Sequence, residues 1–204
     1  MFTLKKRIII SGHPGTGTTT LIDKLGELYN LAPEQKIKVG DLFREASIAK
    51  TGSDITGFYQ REITEDLSID QMQKELLSDP NPELVFILES RLGGVFAKRL
   101  KEENKLPPTI TILITTNSDT RYKRVFDRDN PNLSFEEYCK ATKDREEKDL
   151  VQWQEAHPFL TSNPLDPTSV SLYNLHLDNT NLGIEETVEQ VNKKLLELGA
   201  VEES

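Results

Sequence analysis

Short apolar runs alternate along this chain with stretches whose apolar residues recur at helical spacing. RIIIS at Arg7 to Ser11, LVFIL at Leu84 to Leu88 and TITILIT at Thr109 to Thr115 are nearly unbroken and rich in β-branched residues. Runs of this length are expected of strands buried on both faces of a parallel sheet. Two more strands are predicted at Lys36 to Val39 and Ser171 to Leu177. Leu21, Leu25 and Leu28 form a core-facing stripe and predict a helix from Thr18 to about Tyr29. Further helices are predicted over Val95 to Glu103, Thr120 to Arg128, Phe135 to about Ala156 and Ile184 to Leu198, and Gly40 to Glu45 (GDLFRE) opens another. Thr51 to Asp79 is polar with sparse apolar residues, which predicts short helices around Ile55 to Thr64 and Ile69 to Ser78 that pack loosely and are able to move. Pro158, Pro164 and Pro167 make His157 to Pro167 a loop. Glu202 to Ser204 reads as a frayed tail. Strand alternating with helix implies right-handed βαβ units and hence an α/β fold on a parallel sheet.

Composition narrows the ligand. The 204 residues fit one domain, and a formal net charge of -9 argues against a nucleic-acid groove or an anionic membrane surface, so a small ligand is expected. The single cysteine, Cys139, excludes an internal disulfide framework and a cysteine-rich zinc site, fits a reducing compartment and reads as a packing residue. Lys5, Lys6 and Arg7 precede an apolar run too short for a signal peptide, and no transmembrane stretch follows, so a cytoplasmic location is expected.

The chemistry concentrates where the first strand meets the first helix. Gly12-His13-Pro14-Gly15-Thr16-Gly17-Thr18-Thr19 matches the phosphate-loop pattern GxxxxGK(S/T) except that Thr18 stands in place of the lysine. Glycines let backbone N–H groups wrap an anion, and the helix adds free amides and a positive dipole end. Thr19 supplies the hydroxyl expected on magnesium, while His13 fills a variable position as either a solvent-facing side chain or a catalytic one. Ligands of parallel α/β sheets sit at the carboxyl ends of the strands. Asp41 and Arg44, Glu89 and Arg91, and Asn179 and Thr180 all follow predicted strands. Arg121, Arg124 and Arg128 share one helical face, which is either solvated or functional, and Arg145 lies on the charged helix beyond. Glu89 either orients magnesium through water or ends its strand, and Trp153 either stacks on a base or packs a core or lid. Such a ring of arginines suits phosphoryl transfer, whose transition state spreads negative charge over oxygens.

In order along the chain, IIISGHPGTGTTT, KVGDLFREA, ITEDLSID, LVFILESRLGGVFAKRL, TRYKRVFDRD, DREEKDLVQWQE and SLYNLHLDNTNLGIEETVEQV resemble the cytidylate kinase-like family of nucleoside monophosphate kinases, most closely its short archaeal-type branch. The likeness runs nearly end to end. It implies ATP-dependent phosphorylation of CMP or dCMP with Mg2+, in a three-layer α/β/α P-loop NTPase fold with a five-stranded parallel sheet, helices that bind the monophosphate and a helical lid. By this resemblance the core covers about 1–50, 80–128 and 168–200, the monophosphate-binding insert about 51–79 and the lid about 129–167 of a single domain. Gly12 to Thr20, including Thr20 itself, would hold the ATP phosphates, with Thr19 and Glu89 at the metal. Arg44 and Arg91 would grip the acceptor, beside Asp41 and Gly93. Arg121, Arg124 and Arg145 would close over the transferring group, and Asn179 and Thr180 would lie near the adenine.

Two positions depart from the family pattern. Thr18 removes one charge from the phosphate site, and a lid arginine is the expected substitute, because Lys24 lies nearly two helical turns on, about 9 Å along the axis. Leu92 stands where bacterial cytidylate kinases carry an acidic residue that helps recognise cytosine. A monomeric kinase is expected. A kinase of the same fold for AMP, UMP or a non-nucleotide acceptor, or a nucleotide-binding regulator without catalysis, remains as the alternative reading.

Overall fold

The computed structural model describes residues 2–43, 63–129 and 132–203. Arg44 and the helix expected around Ile55 to Thr64 fall largely outside these residues. The central strand β2 (Arg7–Gly12) lies between β4 (Ile87–Glu89) and β5 (Thr109–Thr115), with β3 (Lys36–Lys38) and β6 (Leu175–Asp178) at the edges. Every pairing in this five-stranded sheet is parallel, in the order β3-β4-β2-β5-β6.

Alternation along β2 divides the core. Ile8 and Ile10 point to one face, where Leu21, Ile22 and Leu25 of α1 (Thr18–Leu28) meet Val191 and Leu195 of α6 (Ile184–Glu197). Ile9 points to the other, against Leu77 of α2 (Ile63–Ser78) and Phe96 and Leu100 of α3 (Gly93–Glu102). The three isoleucines are wholly buried, as a strand covered on both faces requires. Because β4 and β5 flank β2 on opposite sides, the sheet has its switch point at β2, where a crevice opens at the carboxyl ends of the strands.

Two further helices are α4 (Ser118–Asp129) and α5 (Phe135–Ala156). Helix α5 starts at a capping box in which Ser134 Oγ accepts from Glu137 N at 3.3 Å and Glu137 Oε2 accepts from Ser134 N at 2.9 Å. Among the described residues no helix is long and apolar enough to cross a membrane.

Four boundaries differ from expectation, each for a local reason. The strand expected from Leu84 starts at Ile87, since the buried Arg7 guanidinium takes the carbonyls of Leu84 (2.9 Å), Leu77 (3.0 Å), Asp79 (2.7 Å) and Asn81 (2.9 Å). That clamp closes the C-terminal end of α2 with a cation. The strand expected from Ser171 starts at Leu175; Pro167–Leu172 is a 3-10 turn, and Asn174 Oδ1 takes the N–H of Thr111 at 2.9 Å. Glu202 and Glu203 are not a frayed tail: β7 (Val201–Glu203) pairs antiparallel with β1 (Phe2–Leu4), burying Val201 and Leu4. Residues 63–78 form one helix held by a buried face of Asp66, Asp70, Gln73 and Leu77, so this part of the polar stretch is not loosely packed.

Candidate active site

Strand β2 ends in the glycine loop, and the loop is built to leave room. Thr16 closes it by donating from N (3.2 Å) and Oγ1 (2.7 Å) to the His13 carbonyl. Gly15 has φ +86°, and a Cβ there would lie 2.4 Å from the carbonyl oxygen of Arg121, so the loop rests directly on α4. Gly17, at φ +84°, caps α1 without a side-chain hydrogen bond, and a Cβ there would meet nothing within 4 Å. The first turn of α1 carries no acidic residue. Its N-terminal amides, which have no intrahelical acceptor, therefore remain available to an anion at the positive end of the dipole.

A cavity of about 690 Å³ opens over this loop and is lined by His13, Pro14, Gly15, Thr18 and Thr19. Thr18 does not reach into it as a lysine would; its hydroxyl donates to Glu89 Oε1 at 2.9 Å and the residue is buried. Thr19 is exposed to the cavity, and Glu89 lines it. Among the described residues no group of three or more His, Cys, Asp or Glu could hold a metal ion by itself. A hydroxyl and one carboxylate fit Mg2+, a hard cation that takes few protein oxygens and completes its shell with water and phosphate.

Across the cavity, α5 presents carboxylates to the arginines. Asp149 Oδ2 accepts from Arg91 Nη1 at 2.7 Å and lies 4.0 Å from Arg145 Nε; both arginines line the cavity. Arg121 is buried behind Glu146 and Tyr122, gripping both oxygens of Glu146, with Nη2 to Oε2 at 2.6 Å. Burial alone would push the Glu146 carboxyl up, but Arg121, His13 and the Tyr122 hydroxyl together hold it below the usual range. The Tyr122 hydroxyl is pushed up to about 12, by burial first and then by Glu146.

Of the two readings of His13, the solvent-facing loop side chain does not hold. It is packed between Glu146 (3.8 Å) and Asp166 (3.6 Å), and burial, reinforced by the Arg121 charge, lowers its pKa despite both carboxylates. Trp153 lines the cavity beneath Arg91, whose guanidinium carbon lies 5.9 Å from the ring centre.

Other anticipated residues stand elsewhere. Arg124 turns away from the cavity and donates to the Asn179 carbonyl at 3.2 Å and to Asn179 Oδ1 at 3.4 Å. Asn179 is buried, its Nδ2 donating to the Thr16 carbonyl at 2.9 Å, and Thr180 Oγ1 accepts from Asn117 N at 2.9 Å. Asn179 thus ties the glycine loop to the end of β6, and Arg124 and Thr180 tie the Asn179–Thr180 turn to α4 and to Asn117 after β5. Gly93 serves close packing, since a Cβ there would lie 2.6 Å from Ile9 Cγ2. Thr20 is exposed on α1, Asp41 is half-buried beside the cavity-lining Gly40 and Phe43, and Arg128 lies at the rim with Asp129 at 2.6 Å.

The structure also brings in groups the sequence reading did not single out. Asp66, Asp70 and Gln73 of α2 line the cavity with Ser90. Their i, i+4, i+7 spacing was a legible signal of one helix face. Glu146 and Asp149 were hidden in a segment where charges of both signs crowd every face.

A family model described as an AAA domain matches residues 8–152. The cytidylate kinase of Methanopyrus kandleri is 31% identical over 194 residues, covering 92% of this chain and 91% of that protein. The cytidylate kinase of Methanosarcina barkeri is 30% identical over 179 residues, covering 85% and 87%. Among solved structures, a gluconokinase from Sinorhizobium meliloti 1021 superposes with a TM-score of 0.58 at 12% identity, over 96% of this chain and 94% of that one. A shikimate kinase from Bacteroides thetaiotaomicron gives 0.52 at 15% identity, over 96% and 99%. The structural likenesses carry the fold alone. With the glycine loop, the parallel sheet and the near full-length similarity together, the chain belongs to the cytidylate kinase-like family of P-loop kinases.

Proposed function

We propose that this protein is an ATP-dependent nucleoside monophosphate kinase that converts CMP or dCMP to the diphosphate with Mg2+. One observation carries the reading: an uncapped helix end and glycine loop share a single cavity with Arg91 and Arg145, and one α5 carboxylate, Asp149, meets both arginines. In this reading Asp149 at Arg91 and Glu146 at Arg121 hold the places that phosphate oxygens take on binding. Similarity to the two archaeal cytidylate kinases supports the choice of cytidine acceptor.

In this reading the amides of Gly12 to Thr20 hold the ATP phosphates. Thr19 and Glu89 hold Mg2+, which supplies charge neutralisation at the phosphate oxygens. Arg91, with Arg44 from outside the described residues, grips the acceptor phosphate bidentately, which a planar guanidinium does better than an ammonium. An acceptor phosphate oxygen attacks the γ-phosphorus in line, the bond from γ-phosphorus to the β-bridging oxygen breaks, and ADP leaves. Arg145 and Arg121 exchange their carboxylate partners for the transferring oxygens. Arg121, against the loop through Gly15, supplies the cation that Thr18 lacks. Arg124, Asn179 and Thr180 keep the loop in register from behind. The lid within about 129–167 closes over the site and excludes water as a competing acceptor.

A coupled ADP-release assay with CMP, dCMP, UMP and AMP against a no-acceptor control tests this. Turnover with CMP or dCMP is expected. No acceptor-dependent turnover in protein that binds ATP would overturn it.

A further inference from the structure

We infer that His13 takes up a proton from solvent when a bound nucleotide draws Arg121 away from Glu146, and that its imidazolium then replaces Arg121 as the partner of that carboxylate. The inference rests on the reading that Arg121 serves the nucleotide phosphates in place of the missing lysine.

The His13 ring has partners for both of its protonation states. Its side chain is only 14% exposed, and both ring nitrogens face carboxylates: Nδ1 stands 3.8 Å from Glu146 Oε1, and Nε2 stands 3.6 Å from Asp166 Oδ1. Only an imidazolium has an N–H for each, since neutral imidazole turns a lone pair towards one of them. Asn163 Nδ2, 3.4 Å from Nε2, offers that lone pair a donor. The neutral ring thus keeps its proton on Nδ1, towards Glu146, and the charged ring adds one on Nε2, towards Asp166.

The charges around the ring decide between the two. Arg121 from α4 and Arg91 after β4 oppose a proton on His13, whereas Glu146 from α5 and Asp166 ahead of the 3-10 turn favour one. After burial, Arg121 is the largest of these influences, and it is the one that a nucleotide moves. Arg121 now grips both oxygens of Glu146, which also accepts from the Tyr122 hydroxyl at 3.0 Å. The Glu146 side chain is 15% exposed. Once Arg121 turns to phosphate oxygens, Glu146 keeps a neutral hydroxyl and loses its cation, which is costly for a carboxylate shielded from water. A second proton on His13 restores a positive charge on its Oε1 side, and the arriving phosphates favour the same proton.

Nucleotide binding is thereby linked to pH. In the free protein burial and Arg121 hold the His13 pKa below its ordinary 6.5, and in the complex it rises. A group whose pKa rises on binding contributes affinity that is complete below the free pKa and is lost as pH rises through the bound one. Affinity should therefore fall with rising pH, by up to about tenfold per unit where one whole proton is taken up.

The test is calorimetry of a non-hydrolysable ATP analogue with saturating Mg2+ at about pH 7, in buffers of different ionisation enthalpy, together with NMR titration of the His13 ring. Wild type should take up protons on binding, and the ring midpoint should rise above about 6.5 in the complex. His13→Gln should bind with the uptake lost, and Glu146→Gln, which removes the charge to be balanced, should lose most of it. A purely structural His13 would leave the uptake unmoved. Uptake undiminished in either variant, or a wild-type midpoint that does not rise on binding, would overturn the inference; the midpoint carries the test if the variants do not fold. Wild type that binds the analogue without proton uptake would overturn it while leaving the kinase reading intact, and wild type that does not bind the analogue would overturn both.

Discussion

Replacing Arg91 by glutamine removes the guanidinium that the proposal assigns to the acceptor phosphate. In the structure Arg91 gives Asp149 one hydrogen bond of 2.7 Å, and its side chain keeps 28% of its surface exposed. A bidentate grip on phosphate makes two charge-assisted bonds, so binding the acceptor gains about one bond net over the Asp149 contact. Such a bond contributes roughly 1.5 to 3 kcal/mol. At about 1.4 kcal/mol per decade, kcat/KM for the acceptor should fall by about 10- to 150-fold, with ATP affinity changed by less than about threefold because the glycine loop is untouched. The substitution has a second effect. Asp149, only 13% exposed, is left with Arg145 at 4.0 Å, which costs about 1 to 3 kcal/mol of stability and about 2 to 12 °C in Tm.

The double variant Arg91→Gln with Asp149→Asn separates the two effects. It should recover the lost stability and not the lost activity. Steady-state kinetics with the acceptor varied at saturating ATP, ATP binding by calorimetry and a thermal melt measure the three quantities. Retention of kcat/KM within about threefold in the single variant would refute the reasoning. Recovery of activity in the double variant would refute it equally, because Arg91 would then serve only to neutralise Asp149.

Two other outcomes are expected. Gly15→Ala forces a residue with a side chain to φ +86° and drives its Cβ to 2.4 Å from the Arg121 carbonyl. It should cost about 2 kcal/mol or more in urea denaturation and weaken ATP binding; an unchanged unfolding midpoint would count against the tight seating of the loop on α4. The His13 imidazole should titrate below its ordinary 6.5 by NMR, because burial and then Arg121 disfavour its charged form. The folded state then binds this proton less readily than the unfolded chain, so the His13 contribution to stability is complete above about pH 6.5 and is lost as pH falls towards the folded pKa. Arg121→Gln should raise the midpoint, and a wild-type midpoint above 6.5 would contradict the packing described.

Much of the scaffold was legible because it is written in local patterns. β-branched runs too apolar for anything but a doubly covered strand marked β2 and β5. Glycines with a helix behind them marked the phosphate cradle, and Ser134 with Glu137 fits the observed start of α5. The strand limits at Ile87 and Leu175 were not legible, since each is set by a side chain distant in sequence: Arg7 taking the Leu84 carbonyl, and Asn174 taking the Thr111 amide. Val201 to Glu203 looked like a tail because three residues carry no pattern, and only pairing with Phe2 to Leu4 makes them a strand.

For the site, the sequence by itself determined which residue types are present: a glycine loop without its lysine, a magnesium-grade hydroxyl at Thr19, and arginines after the strands. Which of these share a cavity was decided by tertiary structure alone. Arg91 and Arg145, more than fifty positions apart, meet at Asp149, whereas Arg124, on the same helix as Arg121, turns to the Asn179 loop. The physical reason is that a helix offers its charges in every direction, and only the packing of α4 and α5 against the loop selects the face that looks inward. The same holds for Asp66, an unremarked acid in a polar segment that packing against α5 buries beside Gln152 in the cavity wall.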